Sequence, residues 1–434
     1  MWLSALIALV ALWYGYRRST IPESVTIIPR RKRSFWTLRC LYPRKITGIQ
    51  INHVTTFTFG FLFYWVLPPL AGFLAQTEAA RDLLHGWYDY LTHIPSLHIF
   101  EYNLSILAFY IAFALGDRVG YKRPQPRQKT TFHKNLWRAE WYAVLVVFLV
   151  MIVIFRNQLF AGYTVGSPLQ GTAVAISLVL LGLAWEFKLA GYTGYMKVYF
   201  GCAAILLLMG GRLYFASSVI SILVYASHKR PFRIKKIVQW GLVAVVLMGA
   251  VGTVRTGASA SLIMIFLNVG TESIFTSYSL MSYLSGNEPP LFNLPIYLGS
   301  DLMNLIPSAF IDKSKFANLI DSNPFGIVSP LGAFHSWVSS VINFGVVGTI
   351  ILMFLFGYFM RRNERMTTPY LMLTAFTAFT FFRDPFSVSL VKNMFEFSIL
   401  IPVALAGVNK CIAYACRDAA LRTPLLHERI ANDQ

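Results

Sequence analysis

Charged residues are scarce in this 434-residue sequence: Asp, Glu, Lys and Arg make up only 13% of it, whereas 56% of the residues are hydrophobic. Soluble domains have roughly a quarter of their residues charged, so the composition excludes a soluble globular protein. Apolar runs recur along the whole chain, and a run of about 20 residues spans a bilayer as a helix. The sequence therefore predicts an all-α, polytopic integral membrane protein.

Cysteines and cofactor motifs are also scarce. The chain has four cysteines, Cys40, Cys202, Cys411 and Cys416, and their number and spacing suit neither a disulfide framework nor a zinc pair. It has no GxxxxGK[ST] loop, no GxGxxG after a strand, no HExxH and no pair of neighbouring aspartates of the kind that metal-dependent sugar-nucleotide transferases use. We therefore predict no metal and no cofactor, and any reaction must draw its energy from the substrate.

The apolar runs predict about eleven transmembrane helices in a single domain, 1–434. They are placed at 2–16, 54–76, 98–116, 140–155, 171–186, 198–211, 213–227, 237–254, 336–360, 368–382 and 388–408. The first run lacks a leading positive charge and its cations follow it, which indicates a retained helix that starts outside, not a cleaved signal peptide. The C-terminus then lies inside, and 256–335 forms a large outer, periplasmic loop with short helices along the membrane.

The basic residues support this orientation. The chain has 38 Lys and Arg against 19 Asp and Glu, a net charge of +19. Thirty of the 38 fall in the predicted inner segments, which are 17–50, 117–139, 187–197, 228–236, 361–367 and 409–434. Such an excess on one side obeys the positive-inside rule. The charge is therefore explained by topology, and no nucleic-acid partner is predicted.

One of the few outer cations lies in an apolar stretch, "LLLMGGRLYFASSV", where Arg212 follows a Gly-Gly pair. The basic stretch "HKRPFRIKK" that follows belongs inside only if the chain turns at the two glycines. The two arms of such a hairpin are roughly 21–23 Å long, shorter than the ~30 Å hydrocarbon core. Arg212 should therefore lie below the outer surface, where a charge costs about 3 kcal/mol and needs a polar, protein-lined cavity.

Three other arginines end spans on the same side: Arg156, Arg255 and Arg383. Each alone could reach the headgroups, and Arg383 could pair with Asp384. Together they favour an anionic ligand, because the planar guanidinium group binds phosphate through two hydrogen bonds. We expect Arg212 and Arg255 to act in catalysis and Arg156 and Arg383 to bind substrate.

Two residues of the outer loop are candidates for a general base. His335 stands at the start of the ninth span, and imidazole titrates near neutral pH. The alternative is a histidine that caps the helix. Glu272 is the second candidate base, and its alternative is a solvated loop carboxylate.

Several stretches resemble the O-antigen polymerase family of oligosaccharide repeat-unit polymerases. They are the Gly-Gly-Arg before a helix and a basic inner loop, "RNQLFAGYTVG" at 156–166, and "SPLGAFHSWVSSVINFGVVGTIILMFLFGYFM" at 329–360. The resemblance covers roughly 140–410. Family members often have an acidic residue just before the Asn-Phe-Gly, where this chain has Ser339 and Ser340.

The resemblance implies a glycosyltransferase of the bacterial inner membrane that needs no metal. Its substrates would be oligosaccharide repeat units linked through pyrophosphate to a polyprenol, with membrane lipids and a chain-length regulator protein as further partners. The acceptor hydroxyl would attack the anomeric carbon of the growing chain, and polyprenyl pyrophosphate would leave. Cations aligned with the departing diphosphate would stabilise the transition state.

Two alternatives stay open. An O-antigen ligase, of similar fold, would show the same arginines. A flippase or other transporter of lipid-linked sugars should have interrupted helices and repeat symmetry, and the sequence shows neither paired short interrupted spans nor matching halves.

Overall fold

The computed structural model describes residues 2–22, 46–67, 93–121, 134–154, 156, 168–208, 212–239, 241–243, 249, 262–295, 325–330, 333–385 and 387–415. Within this part the chain is mostly helical, which confirms the all-α prediction. Among the residues that the structure describes, five helices are long and apolar enough to cross a membrane: Ser96–Val119, Lys134–Ile154, Gly171–Leu189, Ser336–Arg362 and Val388–Ala415. The composition and these helices together support a membrane-embedded protein.

The helices are numbered along the chain. They are α1 (Trp2–Ser19), α2 (His53–Gly60, continued as a π-helix over Phe61–Val66), α3 (Ser96–Val119), α4 (Lys134–Ile154), α5 (Pro168–Leu189), α6 (Gly194–Leu208), α7 (Arg212–Lys229), α8 (Leu262–Gly286), α9 (Ser336–Arg362), α10 (Thr368–Thr377), α11 (Thr380–Arg383) and α12 (a π-helix over Ser387–Leu400 that continues as α-helix to residue 415). Two short antiparallel strands, β1 (Thr20–Pro22) and β2 (Ile46–Ile49), join α1 to α2.

Contacts between helices fix their relative directions. Helices α1 and α3 run parallel, since Ser4 bonds Asn103 near one end and Arg18 bonds Asp117 near the other. Helix α2 runs antiparallel to them, with His53 at Asp117. These are the relative directions that the predicted spans require. We call the end with Asp117 the inner end and the opposite end the outer end, after the predicted orientation.

Helices α3 and α9 pack closely through glycines. A Cβ on Gly116 would collide with the carbonyl oxygen of Phe354, and one on Gly120 would lie 2.6 Å from that of Tyr358. A Cβ on Gly357 would collide in turn with the carbonyl oxygen of Phe113. Small residues let helix backbones approach in membranes. The matching four-residue steps along both helices show that α3 and α9 run parallel.

The predicted turn at Gly210 and Gly211 is consistent with the described helices on either side of it. Helix α6 ends at Leu208 and α7 begins at Arg212, so 198–227 is not one helix. The two arms pack antiparallel, with Tyr199 bonded to Ser218 and the rings of Phe200 and Phe215 6.1 Å apart. The conformation of the turn itself lies outside the described residues.

Two predicted spans differ from the structure. The tenth, 368–382, is not continuous: α10 and α11 are separated at Ala378 and Phe379, where Phe379 has φ −129° and ψ −71°. The ninth is broken at Gly345, whose φ of 68° and ψ of 176° are not helical. Most of the predicted span 237–254, and the end of 54–76, lie outside the described residues.

The break at Gly345 is filled by the outer loop that follows α8. The amide of Val346 donates to the carbonyl oxygen of Pro290 at 2.9 Å, and that of Val347 donates to Leu291 at 3.1 Å. A Cβ on Gly345 would lie 2.6 Å from the Leu291 carbonyl oxygen. Glycine is needed because this backbone region is essentially closed to other residues. The backbone amides of Val346 and Val347 at the interruption are therefore hydrogen-bonded to the outer loop.

Helix α8 corrects the expectation for the outer loop. The sequence predicted short helices along the membrane surface, but the described part has one 25-residue helix, Leu262–Gly286. Between 273 and 284 every residue except Phe275 is buried. The mixture of polar and apolar residues therefore reflects burial on all faces, with serine hydroxyls bonded to backbone, and not an amphipathic surface helix.

Candidate functional site

An ion-paired cluster lies at the outer end, centred on Arg383. The Nε of Arg383 donates to Oε2 of Glu272 at 2.7 Å, and its Nη1 donates to Oδ1 of Asp384 at 2.7 Å. The side chains of Arg383, Glu272 and Asp384 are 14%, 30% and 5% exposed. Burial opposes the charge on Arg383, but Glu272 and Asp384 outweigh it and raise its pKa well above the ordinary value.

The break between α10 and α11 positions Arg383. Helix α11 is only four residues long and ends at Arg383, after which Asp384 and Pro385 lead into α12. Residues at the start of α9 donate hydrogen bonds to the carbonyl oxygens at the end of α11. The Phe334 amide donates to the Arg383 carbonyl at 3.0 Å, and the Ser336 hydroxyl donates to the Phe382 carbonyl at 3.1 Å. The guanidinium group is thus held on a fixed backbone.

Glu272 reaches the cluster from α8. Its neighbour Ser273 donates to the carbonyl oxygen of Phe63 at 2.5 Å, which joins α8 to the π-helical end of α2. Glu272 is the most exposed of the three charged side chains, so it is the one a substrate could reach with the least rearrangement. A carboxylate held by arginine and partly open to solvent can accept a proton from a bound hydroxyl.

His335 lies beside this cluster but is fully buried. Its Nδ1 accepts the backbone N–H of Trp337 at 3.2 Å, its own amide donates to the Ser279 hydroxyl at 2.7 Å, and its Nε2 lies 3.3 Å from the Tyr102 hydroxyl. The ring stacks on Trp65. Burial lowers the pKa of His335 to about 3. The geometry is that of the helix-capping alternative, and both ring nitrogens are engaged.

The other predicted arginines are only partly within the described residues. Arg212 is the first residue of α7, but its side chain lies outside the described part, and Arg255 lies entirely outside it. Arg156 is exposed and lies two residues beyond the end of α4. The predicted convergence of four arginines thus stays a prediction. Of the predicted site residues, the structure brings Arg383 and Glu272 into contact.

Sequence reasoning missed the residues that organise this site. Ser279, Tyr102 and Trp65 surround His335 and come from three separate helices. No local pattern marks them, because each is an ordinary residue of an apolar or serine-rich run. Asp384 could be found, since it directly follows Arg383. Among the described residues, no group of three or more His, Cys, Asp or Glu could hold a metal ion.

No protein-family model matches the chain, and neither a curated protein nor a solved structure matches it.

Proposed function

We propose that the protein is a membrane glycosyltransferase that polymerises oligosaccharide repeat units linked to polyprenyl pyrophosphate, and that its reaction centre lies at the outer end. The observation that carries the proposal is the pairing of Glu272 with buried Arg383 beside Asp384. A buried, hydrogen-bonded charge cluster is costly in a membrane protein and commonly marks a functional site. The resemblance to the O-antigen polymerase family supports the reaction type.

In the proposed step, Glu272 accepts the proton of the acceptor sugar hydroxyl as its oxygen attacks the anomeric carbon of the donor chain. The bond from that carbon to the pyrophosphate oxygen breaks, and polyprenyl pyrophosphate leaves with the electron pair. Arg383 positions the Glu272 carboxylate. Arg212 and Arg255 are proposed to stabilise the charge that develops on the diphosphate, and Arg156 to bind substrate. His335 serves as a helix cap and a packing residue.

The test is chain growth by the purified protein in vesicles that contain one lipid-linked repeat unit and no lipid-core acceptor. Glu272→Gln should slow ladder formation about 10²-fold or more, the range for loss of a general base. Glu288→Gln, in the exposed loop after α8, is the matched control and should keep wild-type rates. Polymer from Glu272→Gln at wild-type rate would refute the role of Glu272, and the need for a lipid-core acceptor would favour the ligase.

A transporter of lipid-linked oligosaccharide is the second candidate, and the interrupted helices favour it. The sequence shows neither paired short interrupted spans nor matching halves, but in the structure α9 is broken at Gly345, α10 and α11 are separated, and α12 begins as a π-helix. Broken helices line the substrate sites of many transporters. Transbilayer movement of a fluorescent lipid-linked oligosaccharide by the purified protein, without any polymer, would favour transport over transfer.

A further inference from the structure

A second buried cluster of charged side chains lies at the inner end, around Asp117. Arg18 donates to both carboxylate oxygens of Asp117, from Nε at 2.8 Å and from Nη2 at 3.1 Å. The hydroxyl of Tyr14 donates to the same carboxylate at 2.7 Å, and Nε2 of His53 lies 2.9 Å from it. Asp117 and His53 are 2% and 0% exposed. One carboxylate is therefore the common partner of three side chains.

Contacts of three further residues, Arg361, Glu364 and Tyr370, extend the cluster to α9, α10 and the segment between them. Arg361 lies 4.0 Å from Asp117 and pairs with Glu364, which also lies 3.5 Å from Arg18. The hydroxyl of Tyr370 lies 3.1 Å from Nδ1 of His53. The charges of its two arginines, Arg18 and Arg361, balance those of its two carboxylates, Asp117 and Glu364. It ties α1, α2, α3, α9 and α10 together at their inner ends.

An aromatic layer follows the cluster toward the outer end. The rings of Phe57 and Phe113 are stacked with centroids 3.7 Å apart, and Phe356 and Phe381 are stacked at 4.7 Å. Phe57 also lies 5.7 Å from Phe381, so the two pairs form one continuous layer. The four rings come from α2, α3, α9 and α11. Among the described residues, these four aromatic rings therefore pack between the helices directly on the outer side of the ion cluster.

The two ends of the bundle therefore differ. At the outer end, α9, α10 and α12 are interrupted or π-helical, whereas at the inner end α3 and α9 run continuously into the cluster. Movements of packed helices occur at interruptions that can absorb backbone changes. Breaking a buried ion pair is strongly unfavourable because it leaves an uncompensated charge.

We propose that the Asp117 cluster and the aromatic layer are a permanent closure of the inner end, so that the space between α1, α2, α3, α9 and α10 is reached from the outer side alone. A transporter must open both ends in turn, whereas an enzyme acting on the outer side needs no inner opening. The inference does not rest on the proposed transfer reaction, because access can be measured without substrate. Its failure and the failure of the transferase proposal are thus distinguishable.

The test is thiol labelling at Thr58, which follows Phe57 of the aromatic layer in α2. Thr58 is 5% exposed and bonds the Tyr110 hydroxyl at 2.6 Å. Thr58→Cys is placed in a protein whose four native cysteines are serine. A membrane-impermeant thiol reagent is then applied to the inner face in inside-out vesicles. We expect no labelling, while a protein that keeps only the exposed native Cys411 labels readily and serves as the inner-face control.

Removal of the closure should expose the same thiol. The double change Arg18→Gln with Asp117→Asn removes one charge of each sign and should speed inner-face labelling of Thr58→Cys about tenfold or more, because the remaining contacts no longer hold the helix ends. Tyr370→Phe removes one hydroxyl and no charge, and should speed labelling about fivefold. It keeps the test decisive if the double variant fails to fold.

Two results would overturn the proposal. One is labelling of Thr58→Cys from the inner face, with the cluster intact, at a rate close to that of Cys411. The other is a Tyr370→Phe protein that is folded and labels no faster than its parent. Glu288→Cys, at an exposed position of the outer loop, should label from the outer face in every variant and reports that each protein is inserted and folded.

Discussion

The Nε atom of Arg383 lies 2.7 Å from Oε2 of Glu272, although the two residues are 111 positions apart in the sequence. The bond joins α8 to the end of α11, in the second half of the broken tenth span. With Asp384 on its other side, Arg383 is both a structural tie and the charge that orients the candidate base. The two roles can be separated by substitution.

Loss of the Arg383 charge should lower the free energy of unfolding as well as the rate of the proposed reaction. Arg383→Gln leaves Glu272 and Asp384 without their cation, and we expect a loss of about 3 kcal/mol, the low end for breaking a buried pair, because Glu272 keeps 30% exposure. Arg383→Lys keeps the charge and should recover most of this stability. The free energy of unfolding in detergent measures both. Equal stabilities for Gln and Lys would show that the ion pair contributes little.

Gly345 offers a test of the break in α9. Gly345→Ala would force a side chain into a backbone region with φ of 68° and place a Cβ 2.6 Å from the Leu291 carbonyl oxygen. Strain of this kind costs about 1–3 kcal/mol. Gly201→Ala is the control, because it lies in α6 with nothing within 4 Å of the added carbon. Thermal unfolding should distinguish the two, and a Gly345→Ala protein as stable as Gly201→Ala would show that the break is not as described.

Features that depend on local composition could be predicted from the sequence. The antiparallel packing of α6 and α7 agrees with the turn predicted from the charges of "HKRPFRIKK". The pairing of Arg383 with Asp384 followed from their adjacency. The relative directions of α1, α2 and α3 also agree with the prediction, because hydropathy and the positive-inside rule act on short segments. None of these inferences needs knowledge of which helices touch.

Features that depend on distant contacts could not be predicted. Arg18 bonds Asp117, which is 99 positions away in the sequence, and Glu364, which is 346 positions away. Nothing near Asp117 in the sequence marks it as the centre of a cluster. The burial of His335 has the same origin, because Tyr102, Trp65 and Ser279 enclose it from other helices. A titratable residue at a helix start suggests a base until its neighbours are known.

Arg212 remains the sharpest test of the proposed chemistry. Arg212→Ala should abolish chain growth in the vesicle assay while the protein stays inserted, since loss of one preorganised donor costs about 2.7–4 kcal/mol in the transition state. Arg212→Lys should rescue poorly if two parallel hydrogen bonds to phosphate are needed. Wild-type polymer lengths from the Ala variant would reject the site, and full rescue by Lys would reject the bidentate geometry.

Acid should destabilise the protein through His335. Its pKa is about 3 in the folded state against an ordinary value of 6.5, so below about pH 6.5 the unfolded chain binds a proton that the folded chain excludes. The contribution of His335 to the free energy of unfolding is therefore fully present above pH 6.5 and is lost as the pH is lowered toward 3. At pH 5 the loss from this residue alone is about 2 kcal/mol. Denaturant titrations between pH 7.5 and about pH 4.5 cover most of this window.

His335→Asn isolates that contribution. Asparagine can still accept the Trp337 amide as a helix cap, but it does not titrate, so the variant should be less stable at pH 7.5 and lose less stability on acidification. Burial also lowers the pKa of His53, and His53 is present in both proteins, so the difference between their pH slopes belongs to His335. Identical slopes would mean that His335 takes up a proton as readily in the folded state as in the unfolded state, and the capping geometry would then be wrong.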